Sequence, residues 1–228
     1  MSHRLCARSA ILVLLIGATA LTIPSAVWAG NVATAVHDEA KQEPTGKFID
    51  TLGNRAIGIL AEKNNTADAR QAKFRELLTD SFDMRTLGRF VIGRSWNAAT
   101  PDQQKEYMNL FEALVVKTYG DKLTLYSGEG FRVVNVRPES EKDTIVNSQI
   151  THPDGSSPTS VDWRVRTKDG KMGVIDVMVE GVSLSVTQRQ EYASIIQRDD
   201  GKIDGLLALM RDQVKESPDT TTASKKKG

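Results

Sequence analysis

Between residues 131 and 185 the chain changes its period, and that change limits the folds open to it. Residues 131–136, 144–151 and 160–167 are short, β-branched and partly alternating, the pattern of half-buried strands. Lys168-Asp169-Gly170-Lys171 is a hairpin turn signal, and a last long strand is predicted over residues 172–185. In the third strand Val161, Trp163 and Val165 share one face, opposite Asp162, Arg164 and Arg166. In the last, Ile175, Val177 and Val179 are expected on one face, opposite Val174, Asp176, Met178 and Glu180. Gly181 fits a bend or bulge.

Helical spacing flanks this block on both sides. Phe48, Leu52, Ile59 and Leu60 fall near one face of a helix from Lys47, which Asn64-Asn65 breaks. Thr66 is the expected cap of a second helix with Phe74, Leu77 and Leu78 inward. Asp80 or Ser81 is expected to open a third, ending near Gly93. Thr100-Pro101-Asp102 reads as cap, first position and dipole partner of a long helix reaching about Leu125. Two closing helices carry Tyr192, Ile195 and Ile196, then Ile203, Leu206, Leu207 and Met210, separated by Asp199-Asp200-Gly201. Helices, then hairpin-linked strands, then helices predict an α+β fold with helices on one face of a curved antiparallel sheet.

The amino terminus reads as an export signal. Arg4 and Arg8 precede an apolar run over residues 10–21, and Val27-Trp28-Ala29 offers a cleavage site. The expected division is a signal peptide over 1–29, a flexible leader over 30–46, one domain over 47–215 and a disordered tail over 216–228. Cys6, the only cysteine, lies in the signal, so the mature chain has no thiol and no disulfide. A net charge of +1, falling to about −1 after cleavage, gives no nucleic-acid footprint.

Motifs for chemistry are sparse. His152 is the only histidine in the folded part, so no metal is expected. Ser183, in Gly181-Val182-Ser183-Leu184-Ser185, lacks the second glycine of a nucleophile elbow. Gly128-Glu129-Gly130 lacks the third glycine of a dinucleotide loop. Asp176 and Glu180 stand about 13 Å apart along a strand, beyond the roughly 5.5 Å of a retaining carboxylate pair. They are expected to pair with Arg164, Arg166 or Arg189. What remains is an excess of large apolar residues, including an apolar stripe on the long helix that is broad for one thin sheet. Such an excess serves a packed core or a lined cavity, and periodicity does not separate the two.

Two stretches together, "FDMRTLGRFVIGRSWNAATPDQQKEYMNLFEALVVKTYGDKL" and "DVMVEGVSLSVTQRQEYASIIQRDDGKIDGLLALMR", resemble the MlaC family, the toluene-tolerance auxiliary proteins. The resemblance covers about Lys47 to Lys215, and a hopanoid-associated branch is similar too. The chain departs from many relatives at Met172 and at Val174-Ile175. The resemblance implies an NTF2-like fold with an apolar cavity between helices and sheet and phospholipid as cargo. It implies no cofactor and no catalysis. The implied partners are an inner-membrane ABC transporter with an MCE-domain subunit and an outer-membrane lipoprotein–porin complex. A monomeric periplasmic carrier is expected; the alternatives are a hopanoid-associated carrier and a small enzyme using Asp176 or Glu180 as base. The expected lining comes from three regions. Before the long helix it is Phe82, Leu87, Phe90, Val91 and Trp96. On that helix it is Tyr107, Phe111, Leu114, Val115, Tyr119 and Leu123. On the strands it is Phe131, Trp163, Ile175, Val177, Val179 and Val182.

One expectation is testable at once. Secretion of the full chain by a bacterial host should yield a mature protein beginning near Gly30. Intact mass spectrometry checks this, and a secreted product that keeps residues 1–29 contradicts it.

Overall fold

A computed structural model of the chain describes residues 43–62, 66–122 and 128–215. The expected signal peptide, most of the leader, the tail and Leu123 lie outside the described residues. The elements run α1 (Pro44–Ala61), α2 (Ala67–Ser81), α3 (Met84–Ile92), α4 (Ser95–Ala98), α5 (Pro101–Lys122), β1 (Gly130–Pro138), β2 (Asp143–Thr151), β3 (Thr159–Lys168), β4 (Lys171–Val179), β5 (Val182–Ser183), α6 (Leu184–Arg198) and α7 (Asp204–Lys215). The five strands form one antiparallel sheet in sequence order. The fold is α+β.

Local chemistry sets most boundaries. Thr66 caps α2 by accepting the Ala69 N–H at 3.2 Å. Thr100 and Gln103 form a reciprocal box at the start of α5: Thr100 Oγ1 accepts the Gln103 N–H, and Gln103 Oε1 accepts the Thr100 N–H. Asp169 and Gly170 both have positive φ, which matches a two-residue hairpin turn to the strand twist.

The structure differs from the sequence expectation at four places. α1 begins at Pro44 rather than Lys47, because a proline costs nothing in a first turn whose N–H groups have no helical partner. α3 is capped by Asp83, not Asp80 or Ser81. Its carboxylate accepts from the Thr86 N–H at 2.9 Å and hydroxyl at 2.6 Å. The last strand stops at Val179, since Glu180 and Gly181, with φ of 49° and 79°, reverse the chain into β5.

The fourth difference changes which side chains share a face. A bulge in the β3–β4 ladder pairs Arg164 with Asp176 and Val165 with Val174, leaving Ile175 extra. An extra residue reverses the alternation on one side of it. Val174 therefore joins Val177 and Val179 on the inner face, and Ile175 does not.

Two apolar cores result. One lies between α1, α2 and the sheet, built on Ile49, Leu52, Phe74, Leu77, Leu78, Val133, Val146, Val165 and Val174. The other lies among α3, α5, α6 and α7, built on Val91, Tyr107, Phe111, Leu114, Tyr192, Ile196, Leu206, Leu207 and Met210. Val116 of α5 is fully buried in the first, and Val115 beside it packs against both.

Asp176 holds β4, β5 and α6 together. Its residue is only 5% exposed. Its carboxylate accepts from the Val177 N–H at 2.9 Å, the Ser185 N–H at 3.2 Å and the Ser183 hydroxyl at 2.7 Å. Ser183 Oγ in turn accepts the Val186 N–H and caps α6. Asp176→Ala would leave these donors buried without their acceptor, a loss of about 2–3 kcal/mol. For a domain of this size the melting temperature should fall by roughly 5–10 °C. An unchanged melting temperature in scanning calorimetry would refute this role.

Candidate functional site

The inner face of the sheet carries two of the aromatic residues that the sequence singled out, Phe131 and Trp163. Trp163 stands on β3 between Val146 of β2 and Val177 of β4. Its indole N–H donates to Ser148 Oγ at 2.9 Å, and the Ser148 hydroxyl donates to the Val161 carbonyl at 2.7 Å. That chain satisfies the polar edge of the indole and leaves its ring for apolar contact. Phe82 and Phe131 meet the ring edge-on from two sides, with centroids 6.5 Å and 6.2 Å away. Val115, Tyr119 and Val177 complete the group. All six residues are half-buried, so each keeps part of its surface open. Burial raises the Tyr119 hydroxyl pKa, which keeps it neutral at physiological pH.

Gly53 allows this wall to form. A Cβ there would sit 2.3 Å from Cδ1 of Phe131, well inside contact distance. The missing side chain on α1 is what admits the ring. The sequence showed Gly53 only as a glycine inside a helical pattern, where it costs helix stability and so needs a packing reason. Ser148 carried no signal at all.

Other expected lining residues lie elsewhere. Leu87, Val91, Trp96, Tyr107, Phe111 and Leu114 belong to the helical core. Tyr107 is fully buried, stacks on Phe111 at 5.8 Å and donates its hydroxyl to the Gly88 carbonyl at 3.0 Å. Burial raises the Tyr107 and Tyr192 pKa values, so neither phenol ionises near neutral pH. Phe90 and Val182 are exposed on the surface. Val179 is half-buried at the end of β4, and Ile175 is buried at the bulge.

A cleft of about 400 Å³ opens on the other side of α5, among α5, α6 and α7. Phe111, Leu114, Val115 and Tyr119 of α5 share its apolar lining with Tyr192, Ile195 and Leu209, and Lys117, Gln188, Glu191 and Gln213 also line it. Val115 and Tyr119 thus border both the cleft and the sheet-side wall.

The acids are engaged structurally. Asp176 holds β5 and α6, and Glu180 accepts the Ser160 N–H at 2.5 Å. The expected pairing of Asp176 and Glu180 with arginines is not formed. Arg164 pairs with Glu139 at 2.8 Å, Arg166 grips Asp143 with two 2.7 Å bonds, and Arg189 donates to the Phe90 carbonyl. The Arg166 fork holds the Asp143 pKa below the usual carboxylate range. Arg166 meets its acceptor in the ladder and Arg189 across the helix pair, whereas Arg164 turns to Glu139 just past β1 although Asp176 is its ladder partner. His152 meets Thr159 Oγ1 at 3.0 Å. Among the described residues no group of three or more His, Cys, Asp or Glu could hold a metal ion, and no helix is long and apolar enough to cross a membrane.

The family model described as MlaC protein matches residues 50–212. The chain belongs to the MlaC family. Toluene tolerance protein ttg2D of Pseudomonas putida is 24% identical over 130 residues, which cover 54% of this chain and 60% of that relative. The chain thus spans three-fifths of that protein's length. A phospholipid-binding protein from Ralstonia solanacearum, solved in complex with a phospholipid, superposes with a TM-score of 0.64 at 22% identity. That match covers 74% of this chain and 95% of the other, and it shows a shared fold.

The contact between Gly53 and Phe131 is open to a double-mutant cycle. Gly53→Ala should destabilise by about 1–3 kcal/mol in urea unfolding, because α1 or the ring must move. In a Phe131→Ala background the same change should cost at least about 1 kcal/mol less. Additive effects would place the strain somewhere other than this ring.

Proposed function

We propose that this chain is a periplasmic phospholipid carrier that moves lipid between the outer and inner membranes and so maintains lipid asymmetry. Residues 1–29 are removed on export, and the domain over 47–215 holds the cargo. The observation that carries this reading is the half-open aromatic and aliphatic wall of Phe82, Val115, Tyr119, Phe131, Trp163 and Val177 between sheet and helices. A phospholipid bound to a protein of the same fold supports it. Acyl chains lie against this wall, and the headgroup stays at its edge.

Exposure of acyl chains to water costs about 0.8 kcal/mol per methylene, or roughly 24 kcal/mol for two chains of about fifteen. Unaided transfer through water is therefore slow. A pocket that replaces the bilayer makes exchange nearly neutral, and partners then set direction by small differences in affinity. The partners in this reading are an MCE-domain ABC transporter in the inner membrane and a lipoprotein–porin complex in the outer membrane. Nothing in this task requires bond chemistry, and Asp176 and Glu180 are already occupied as structural acceptors.

Native mass spectrometry of the secreted protein, followed by organic extraction, tests the proposal. Co-purifying phospholipid supports it; a hopanoid in its place changes the cargo, and no lipid at all removes the reading. Val177→Glu refines the test, because Val177 is half-buried opposite Trp163. In a lipid-filled space the new carboxylate stays hydrated and displaces cargo, since burying it unpaired is costly. The expected variant has near-native circular dichroism and about tenfold less extractable lipid. A folded variant with full cargo would put the lipid on another surface, and an unfolded one would mean a filled core.

A further inference from the structure

We propose that the outer side of α3 and the start of α6 form a docking patch for anionic phospholipid bilayers. The proposal rests on the carrier reading, since it concerns where cargo is collected or delivered. Among the described residues, three of the four large apolar side chains that stand exposed are here: Phe90 on α3, Val182 in β5 and Val186 on α6. Arg189, one turn beyond Val186, joins the two helices. Its guanidinium lies 4.9 Å over the Phe90 ring and donates to the Phe90 carbonyl at 3.0 Å.

On α3 and the turn after it the charge has one sign, while Glu180 and Glu191 stand exposed near Val182 and Arg189 in sequence. From Met84 to Ala98 the chain carries Arg85, Arg89 and Arg94 and no acid. All three are exposed, as is Arg189. Among the described residues, Arg55, Arg75, Arg164, Arg166 and Arg211 each form an ion pair with a carboxylate. Arg85, Arg89, Arg94 and Arg189 form none of these pairs; Arg89 instead lies 5.3 Å over Trp96. Unpaired arginines beside exposed apolar tips match the headgroup layer of an anionic bilayer. There the guanidinium groups meet phosphates, and the tips enter the acyl boundary.

Placement favours a bilayer over a water-soluble acidic partner. Phe82, which immediately precedes the Asp83 cap of α3, stands in the wall assigned to cargo. The same short helix therefore leads from the patch to the wall, which suits a surface from which cargo enters.

The experiment measures co-sedimentation of the secreted chain with phosphatidylcholine vesicles, with and without phosphatidylglycerol. Arg85→Gln/Arg94→Gln removes two cations whose side chains make no hydrogen bond or ion pair among the described residues. Phe90→Ser removes the aromatic tip. The expected result is binding only to the anionic vesicles. It should weaken about thirtyfold in the double variant, roughly fivefold for each arginine lost, since each is worth about one kcal/mol at such a surface. It should also weaken in Phe90→Ser and fall with added salt. Wild type and variants share the same C-terminal lysines, so the tail cancels from the comparison. Equal binding to both vesicle types, or variants that bind like wild type, would overturn the proposal. So would failure on anionic vesicles combined with arginine-dependent binding to an acidic protein. Extracted lipid is measured in parallel, with the double variant expected to keep its cargo. A chain that docks on anionic vesicles but carries no lipid would end the carrier reading and leave the patch standing.

Discussion

Helix α5 is buried on two sides at once, and the arrangement of the molecule follows from that. Tyr107, Phe111 and Leu114 face α3, α6 and α7, while Val116 faces the sheet-side core. Val115 touches both. A helix that serves two cores cannot segregate its apolar residues to one stripe, so its pattern is broad. It also cannot slide or rotate to improve one core without opening the other. The reciprocal cap of Thr100 and Gln103 fixes where it starts, and the hydroxyl of Tyr107 on the Gly88 carbonyl ties it to α3.

That double burial explains what was and was not legible in the sequence. The broad stripe was visible, but its spacing did not separate a packed core from a lined cavity. Periodicity reports how much of a helix is apolar and not what each side meets. Hence Tyr107 and Val91, expected to line a cavity, lie in the helical core, Phe111 and Leu114 lie in that core and also border the cleft, and Phe82, Phe131, Trp163 and Val177 gather on the sheet-side wall. The turn at Asp169-Gly170 and the caps at Thr66 and Thr100 were legible because each depends on a few adjacent residues. The bulge at Ile175 was not. Every residue of β4 near it is compatible with either parity, and only pairing with β3 decides which faces inward.

The polar groups divide in a similar way. Asp176 looked like an acid available for chemistry or for an arginine. Its neighbours in space are the N–H groups and hydroxyl that start α6, and a carboxylate beside an open helix terminus is satisfied there. The contacts are seven and nine residues away in sequence, across a turn made possible by Glu180 and Gly181 at positive φ. Reading β4 and β5 as one straight strand placed Ser183 too far away to be considered. One misplaced turn therefore concealed both the acid's role and the helix cap.

A carrier faces a constraint that an ordinary core does not. Its apolar surface must be good enough to replace a bilayer, and its fold must survive when that surface changes occupant. The two cores separate these demands. The helical core closes tightly around Tyr107, Leu206, Leu207 and Met210, all at most 1% exposed. The sheet-side core is sealed at its floor by Val133, Val146, Val165 and Val174 but ends in half-open rings. Those rings are held by rigid means. Trp163 is pinned through Ser148, and Phe131 sits in the space left by Gly53. Aromatic rings so fixed lose little side-chain entropy when an acyl chain covers them, because they were already ordered. Loss of the same chain leaves a floor that is still closed. In the proposed carrier this makes loading and unloading a change at one rim, with α5 and the helical core acting as a fixed support.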